Sequence, residues 1–487
     1  MAWTARGGKL RNHRSGANLL LLLLGSGVST FGNALVLVAL LVHLAGFADS
    51  ARLIGLVQGS AYLPMALFSY AAGTWVDRHS PKGVMIWTDV LRGLAMIAGG
   101  LLLAASSGGG AGAERLAASS AAGSKAGLVV LLPLVFVIGT LQSLFIPGVV
   151  LLCVDVERQF AASGRRVRVL GLRNAGTHAA TLAGNAIGGS LYLLLGLPVL
   201  LVFSGLGFIL SAFSEVFLKE SPLVSDPVMR SGANSLGAGF RLPLPQVGAE
   251  ARLPSPATLL ADLWAVIRTP PVDLYLLVQI VTPLLTMVLP SFISQVLGLP
   301  AQALGLVFAL LLAGSITAGL LSGFRTRSNK PTAPKPGKAE LLDSSLDNPG
   351  CRPDARYAYL PGLLAGSLLA AIALSGKALS WPLGAVLLVG LGYCLGSLYL
   401  HSIEAVQSAS LPGRGGRGHG MLESLSSIVT PASYFIGAAV LGSGTLGGDR
   451  VPATFWVAGL AGILAFYSLM GGLRAVKVSR LDGSLED

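Results

Sequence analysis

The chain has 487 residues, of which 53% are hydrophobic and only 11% charged, and its mean hydropathy is +0.71. Soluble domains carry about a quarter charged residues, so the composition excludes an ordinary water-soluble enzyme and makes lipid the expected solvent. A net charge of +12 would suggest nucleic acid in a soluble protein, but here the cations lie between long apolar runs and nucleic acid is not an expected partner.

A hydrocarbon layer about 30 Å thick takes roughly 20 apolar residues per helical span. Runs of that kind predict spans near 17–44, 52–75, 83–104, 126–152, 170–196, 197–218, 271–294, 301–323, 358–376, 381–404, 420–444 and 451–472. The first follows Arg6, Lys9, Arg11 and Arg14 and opens with Leu19–Leu24, as a secretory signal would. A signal's apolar region is only about 7–15 residues, whereas this one continues to His43, so it reads as a retained helix. With the N-terminus inside, only Arg52, Arg115, Lys125, Lys377 and Arg450 fall on the opposite side. Positive charge gathers on the cytoplasmic side of membrane proteins. The pattern therefore predicts an all-α, multi-pass protein of twelve spans in a plasma (inner) membrane, both termini cytoplasmic.

In chain order, the first polar feature is Asn33 in Ser29–Ala34, a neutral hydrogen-bonding group inside span one. Between spans two and three lies Gly73-Thr74-Trp75-Val76-Asp77-Arg78-His79-Ser80-Pro81-Lys82, a charged turn at a membrane surface. Asp89 and Arg92 follow three residues apart, on one helical face where they can pair. Ionisable groups inside spans are costly and are paired or face a cavity, which leaves a structural ion pair and a substrate contact both open. Asp155 follows span four as an inner-loop charge, and His178 sits within span five, as a proton carrier or a hydrogen-bonded structural histidine. Farther along that span, Gly184-Asn185-Ala186-Ile187-Gly188-Gly189 offers the small residues that let membrane helices approach closely.

The spans form two sets of six: 1–218, a hydrophilic linker at 219–270, and 271–487. Pro, Gly and Ser make much of the linker irregular, while Leu259, Leu260, Leu263 and Trp264 predict an amphipathic surface helix near its end. In the second set, Gln279 and Thr282-Pro283 mark a polar, kinkable point in span seven, since proline frees a backbone carbonyl there. The inner loop 325–357 carries Lys330, Lys335, Lys338 and several prolines and reads as a solvated basic segment. His401 and Glu404 end span ten, and Arg414, Arg417 and Glu423 add inner charge. Cys153, Cys351 and Cys394 suggest neither a disulfide nor a metal site. No Gly-x-x-x-x-Gly-Lys-Ser/Thr phosphate loop and no nucleophile–base set stands out, so neither an ATP-driven pump nor an enzyme is expected, and no cofactor.

The residues Gly73, Asp77, Arg78 and Lys82 resemble the loop motif of major facilitator transporters, with Ser80 and Pro81 in place of its usual glycine and second basic residue. The string through Met85, Asp89 and Arg92, together with Leu411-Pro412-Gly413-Arg414 and Arg417-Gly418, is similar to the macrolide-efflux and enterobactin-exporter-type subset. Gly184 to Gly189 resembles the antiporter motif of drug exporters, with Asn185 in the place of proline. The resemblance implies the major facilitator fold, two six-helix bundles rocking about a central site. It makes Gly73, Asp77, Arg78 and Lys82, with Asp89 and Arg92, a cytoplasmic latch. It also implies a monomer that exports an amphipathic small molecule such as a drug or siderophore, with protons as the default coupling ion. Candidates for the substrate and proton pathway are Asn33, His178, Gln279, His401 and Glu404. Relatives often carry an acid where Asn33 stands, so that titratable site is missing here. Lipid flipping of the lysophospholipid type, for which Lys82-Gly83 is a shared turn, and a non-transporting scaffold or sensor built on 325–357 stay open as alternatives.

Overall fold

The computed structural model describes residues 2–47, 49–76, 79–106, 124–161, 169–218, 272–328, 359–378, 380–409, 415–442 and 453–483. The linker 219–270, most of loop 325–357, Cys351, Asp77, Arg78 and Arg414 lie outside them. All regular structure among the described residues is helical, as expected where the hydrocarbon offers backbone N–H and C=O groups no partner outside the helix itself. In chain order the helices are α1 (Ala2–Ala45), α2 (Ser50–Val76), α3 (Pro81–Ser106), α4 (Ser124–Ala161), α5 (Val169–Val216), α6 (Val272–Ser291), α7 (Ala303–Ser328), α8 (Leu360–Ser375), α9 (Trp381–Ala409), α10 (Gly415–Gly442) and α11 (Ala453–Gly483).

Eight of the described helices are long and apolar enough to cross a membrane, and Leu360–Ser375 and Leu425–Leu441 are shorter apolar helices. Many large apolar side chains are exposed, among them Trp87, Leu194, Phe203, Leu206 and Phe455, the outward apolar surface a lipid-solvated protein needs. α5 has 48 residues, about 72 Å at 1.5 Å per residue, far more than one crossing requires. It is broken at Gly196, whose φ of 75° and ψ of 165° are conformations that an L side chain rarely adopts. Pro198 then stands in the first turn of the second arm, where a missing N–H costs little. The break falls at the boundary between the predicted spans 170–196 and 197–218: the turn is so short that the two arms run as one element.

Other boundaries move outward from their predicted positions. α4 continues to Ala161, so Asp155 is a buried helical residue and not a loop charge as expected. α10 starts at Gly415, which places Arg417 on helical backbone instead of in the loop before span eleven, in the same helix as Glu423. α6 ends in a wide turn, Phe292–Val296, after Pro290 has withdrawn one N–H from the helical ladder, and Gly298 at φ 67° closes it.

The chain divides into two compact units. The first takes the described residues of Met1–Arg252 with Thr282–Ala309 and Ser426–Ala453. Its apolar centre lies among α1, α3, α4 and α5, with Leu22, Met85, Phe145, Val149, Leu152, Val156, Phe160, Val169 and Leu218 buried together. Farther along, Gly55 of α2 lies against Met287 and the Tyr434 carbonyl, and the Tyr62 and Tyr434 rings stack 6.0 Å apart. The second unit takes the described residues of Leu253–Val281, Leu310–Leu425 and Thr454–Asp487. There Tyr359 donates to both carboxylate oxygens of Asp273 (2.9 and 3.1 Å) and Tyr467 donates to Oδ2 (3.1 Å). One carboxylate thus pins the start of α6 to α8 and α11.

Candidate functional site: a buried charge cluster and a polar helix face

The apolar centre of the first unit encloses four charged side chains. Asp89 and Arg92 share one face of α3 and pair at 2.7 Å, with side chains 0% and 3% exposed. The rest of the guanidinium is also engaged. Nη1 donates to Gln142 Oε1 (2.8 Å) and Nε to the Thr88 carbonyl (3.3 Å). The Phe145 and Phe208 ring centroids lie 4.2 and 4.9 Å from its carbon, a cation–π arrangement. The two arms of α5 then bring Arg173 and Glu215, near opposite ends of that element, into the electrostatic reach of this pair. Arg173 Nε donates to Ser26 Oγ of α1 (3.2 Å). Glu215 is buried, and its Oε2 has no hydrogen-bond partner. Both Asp89 oxygens also fall outside hydrogen-bond geometry, although Arg92 is close enough for ion pairing.

The Asp89–Arg92 spacing was legible in the sequence; Arg173 and Glu215 were missed. The available signal was simply that each is ionisable and lies inside a span. Asp155 belongs to a neighbouring polar chain: Asn18 of α1 donates to Gln159 Oε1 (2.9 Å), and Gln159 donates to Asp155 Oδ2 (3.0 Å).

The charged turn is built from helix-end chemistry. Ser80 Oγ accepts from the Gly83 N–H (3.1 Å), and Pro81 is the first residue of α3. This is an N-cap serine followed by a proline at the first helical position, so the two departures from the family pattern start a helix. Lys82 Nζ donates to the carbonyls of Val216 and Leu218, each at 2.7 Å. It thereby satisfies carbonyls that the end of α5 leaves open, with a cation at the negative pole of the helix. His79 stacks on Trp75 at 4.2 Å and donates from Nδ1 to its carbonyl (2.8 Å). Gly73 lies on the helical backbone of α2 with its surroundings outside the described residues. Asp77 and Arg78 of the expected latch fall on residues not described.

The glycines of α5 pack against backbone. A Cβ at Gly184 would come within 2.7 Å of the Phe31 carbonyl of α1, and one at Gly188 within 3.1 Å of Val38. One at Gly189 would strike the Gln302 backbone, just as one at Gly305 would strike the Asn185 carbonyl. The Asn185 side chain is buried with Oδ1 unpartnered.

The first arm of α5 has two exposed sides of opposite character. At about 100° per residue, Leu172, Gly176, Ala179, Ala183 and Ile187 share one face, all exposed and all apolar or small. About half a turn away lies a polar stripe of Asn174, Thr177, His178, Thr181 and Asn185. On that stripe Asn174 and His178 are exposed, Thr177 and Thr181 are half-buried, and Asn185 closes it where the helix meets Gly305. α1 repeats the division, with Leu20 and Leu24 exposed on one face and Asn33 exposed on the other. The stripe joins two sequence candidates, His178 and Asn185, to Asn174, Thr177 and Thr181, which were not singled out.

In the second unit Gln279 and His401 are half-buried. His401 Nδ1 donates to the Ser397 carbonyl (2.6 Å), which leaves Nε2 as the nitrogen able to meet a solute. Glu404, Arg417 and Glu423 lie on helical backbone, their side chains outside the described residues. Among the described residues, no three His, Cys, Asp or Glu side chains converge as a metal site requires.

A family model described as Major Facilitator Superfamily matches residues 22–334. Among solved structures, the chain is similar in fold to the nucleoside transporter NupG, at 12% identity and a TM-score of 0.62 over 94% of this chain and 98% of that one. It is similar also to the peptide transporter POT in complex with alafosfalin, at 14% identity and a TM-score of 0.57 over 97% and 99%. No curated protein matches the chain.

Proposed function

Because the chain belongs to the major facilitator superfamily, a family of membrane transporters of small molecules, we propose that it is a twelve-span secondary transporter whose two six-helix halves, 1–218 and 271–487, rock about a central path. The count of twelve takes α5 as two spans meeting at Gly196, adds α2 with the shorter apolar helices α8 and α10, and agrees with the cation asymmetry that puts both termini in the cytoplasm of a plasma (inner) membrane. The polar face of α5 carries the reading. Lipid satisfies the apolar face, but exposed amide and imidazole groups at that depth need water or a solute. Asn33, Asn174 and His178 offer neutral donors and acceptors to such a solute, which suits an amphipathic cargo with hydrogen-bonding groups.

Export of a drug- or siderophore-like molecule is the direction supported by the resemblance of Asp89, Arg92, Arg414 and Arg417 to the efflux-type strings. The coupling ion we assign is the proton. Uptake of a panel of amphipathic solutes into proteoliposomes, with and without an imposed pH gradient, tests the function. Gradient-dependent accumulation of any member supports it. Transport that ignores the gradient would remove the coupling, and no transport across the panel would remove the reading itself.

A further inference from the structure

We propose that Glu215 is the proton-carrying carboxyl of this chain. The assignment deepens the proton-coupled reading above and rests on it for its role in transport. Glu215 is only 2% exposed, stands one residue from the end of α5, and presents an Oε2 with no hydrogen-bond partner. The charged groups that face it are Asp89 and Arg92 of α3 and Arg173 of the first arm of α5. Behind Arg173 stands the Cys153 thiol of α4, with Glu157 of the same helix near that thiol.

These groups are unequally engaged. Arg92 is tied to Asp89, Gln142 and Thr88 and lies over two rings. Arg173 spends its Nε on Ser26. Asp89–Arg92 is the one ion pair of the cluster among the described residues. A buried carboxylate with an unpartnered oxygen is costly, and among the described residues no cation comes within ion-pairing distance of Glu215. Two guanidinium groups in the same cluster repel a metal cation from that place. A proton answers the need most compactly: it forms an O–H bond on Oε2 and removes the charge where it arises. On release the proton leaves to water with its O–H bonding pair kept on Oε2, and the carboxylate is balanced at longer range by the Arg173 and Arg92 guanidiniums.

The location fits coupling to movement. The Val216 carbonyl, next in the chain after Glu215, accepts from Lys82, so the charged turn between α2 and α3 is bonded to the residue beside the acid. A change at Glu215 therefore acts directly on the segment that the sequence marks as a latch.

Infrared difference spectra of the full chain in lipid vesicles, taken across a pH step in sodium-free and in sodium buffers, test the assignment without needing a known cargo. The wild type should show a protonated-carboxyl band that vanishes on the alkaline side, E215Q should lack it, and E215D should shift it, which keeps the test decisive if E215Q fails to fold. An unchanged band in E215Q, no such band in the wild type, or a band displaced by sodium at constant pH would each overturn the proposal. Failure of the transport reading shows separately, as absence of gradient-driven uptake in vesicles whose Glu215 band behaves as described.

Discussion

Replacing Arg92 with methionine keeps much of the side-chain volume but strands the Asp89 carboxylate. It removes the 2.7 Å ion pair, the bonds to Gln142 and the Thr88 carbonyl, and the stacking on Phe145 and Phe208. Breaking a buried pair by deleting one partner costs about 3–5 kcal/mol, whereas replacing both with well-packed uncharged groups is often close to neutral. Arg92→Met alone should therefore lose about 3–5 kcal/mol of stability, and Arg92→Met with Asp89→Asn should recover most of that loss, a coupling far beyond the ~0.5 kcal/mol scatter of independent sites. Reversible unfolding of the reconstituted protein, run as a double-mutant cycle, measures it. Additive single and double effects, or Arg92→Met within about 0.5 kcal/mol of wild type, would refute the reasoning that the pair is a closed, desolvated unit.

Three further outcomes follow from the same contacts. Lys82→Ala should cost about 1–3 kcal/mol by leaving the α5 carbonyls open, read as faster amide exchange at the end of α5; exchange unchanged from wild type would contradict the cap. Gly184→Val should force α1 and α5 apart because its Cβ meets the Phe31 carbonyl and Ala34, lowering the melting temperature in lipid, whereas an unaltered melt would show that the close approach is dispensable. Asp273→Ala should leave the Tyr359 and Tyr467 hydroxyls without their shared acceptor, roughly 1–3 kcal/mol for a charged acceptor; proteolysis near the starts of α6 and α8 should rise, and an unchanged cleavage pattern would sink that clamp.

The sequence showed most of the helical layout because each span is a long apolar run bounded by charge, a signal that needs no tertiary information. The break in α5, where Gly196 is followed by Pro198, falls at the expected boundary between spans 170–196 and 197–218. The sequence was less informative about partners. The i, i+3 spacing identified Asp89 with Arg92, but no local period connects them to Arg173 and Glu215, which meet them because α5 turns back at Gly196. Ser80 and Pro81 looked like losses from a motif until their place at the start of α3 made them a cap and a first-turn proline. Asp155 looked like a loop charge because the apolar run stops before it, while the helix continues through Asn18- and Gln159-mediated bonding. The polar stripe of α5 has a 3.6-residue period, but interleaved glycine and alanine diluted the contrast between its faces.

The central claim is that a water-accessible cargo path runs along the polar face of α5. Its most direct measurement is the reaction of single cysteines with a membrane-impermeant maleimide, after replacement of Cys153, Cys351 and Cys394. His178→Cys and Asn174→Cys should label from the aqueous phase, while Leu206→Cys, on the apolar exposed surface of the second arm, should not. If His178→Cys and Asn174→Cys are as inert as Leu206→Cys, the stripe faces no water and the account is contradicted.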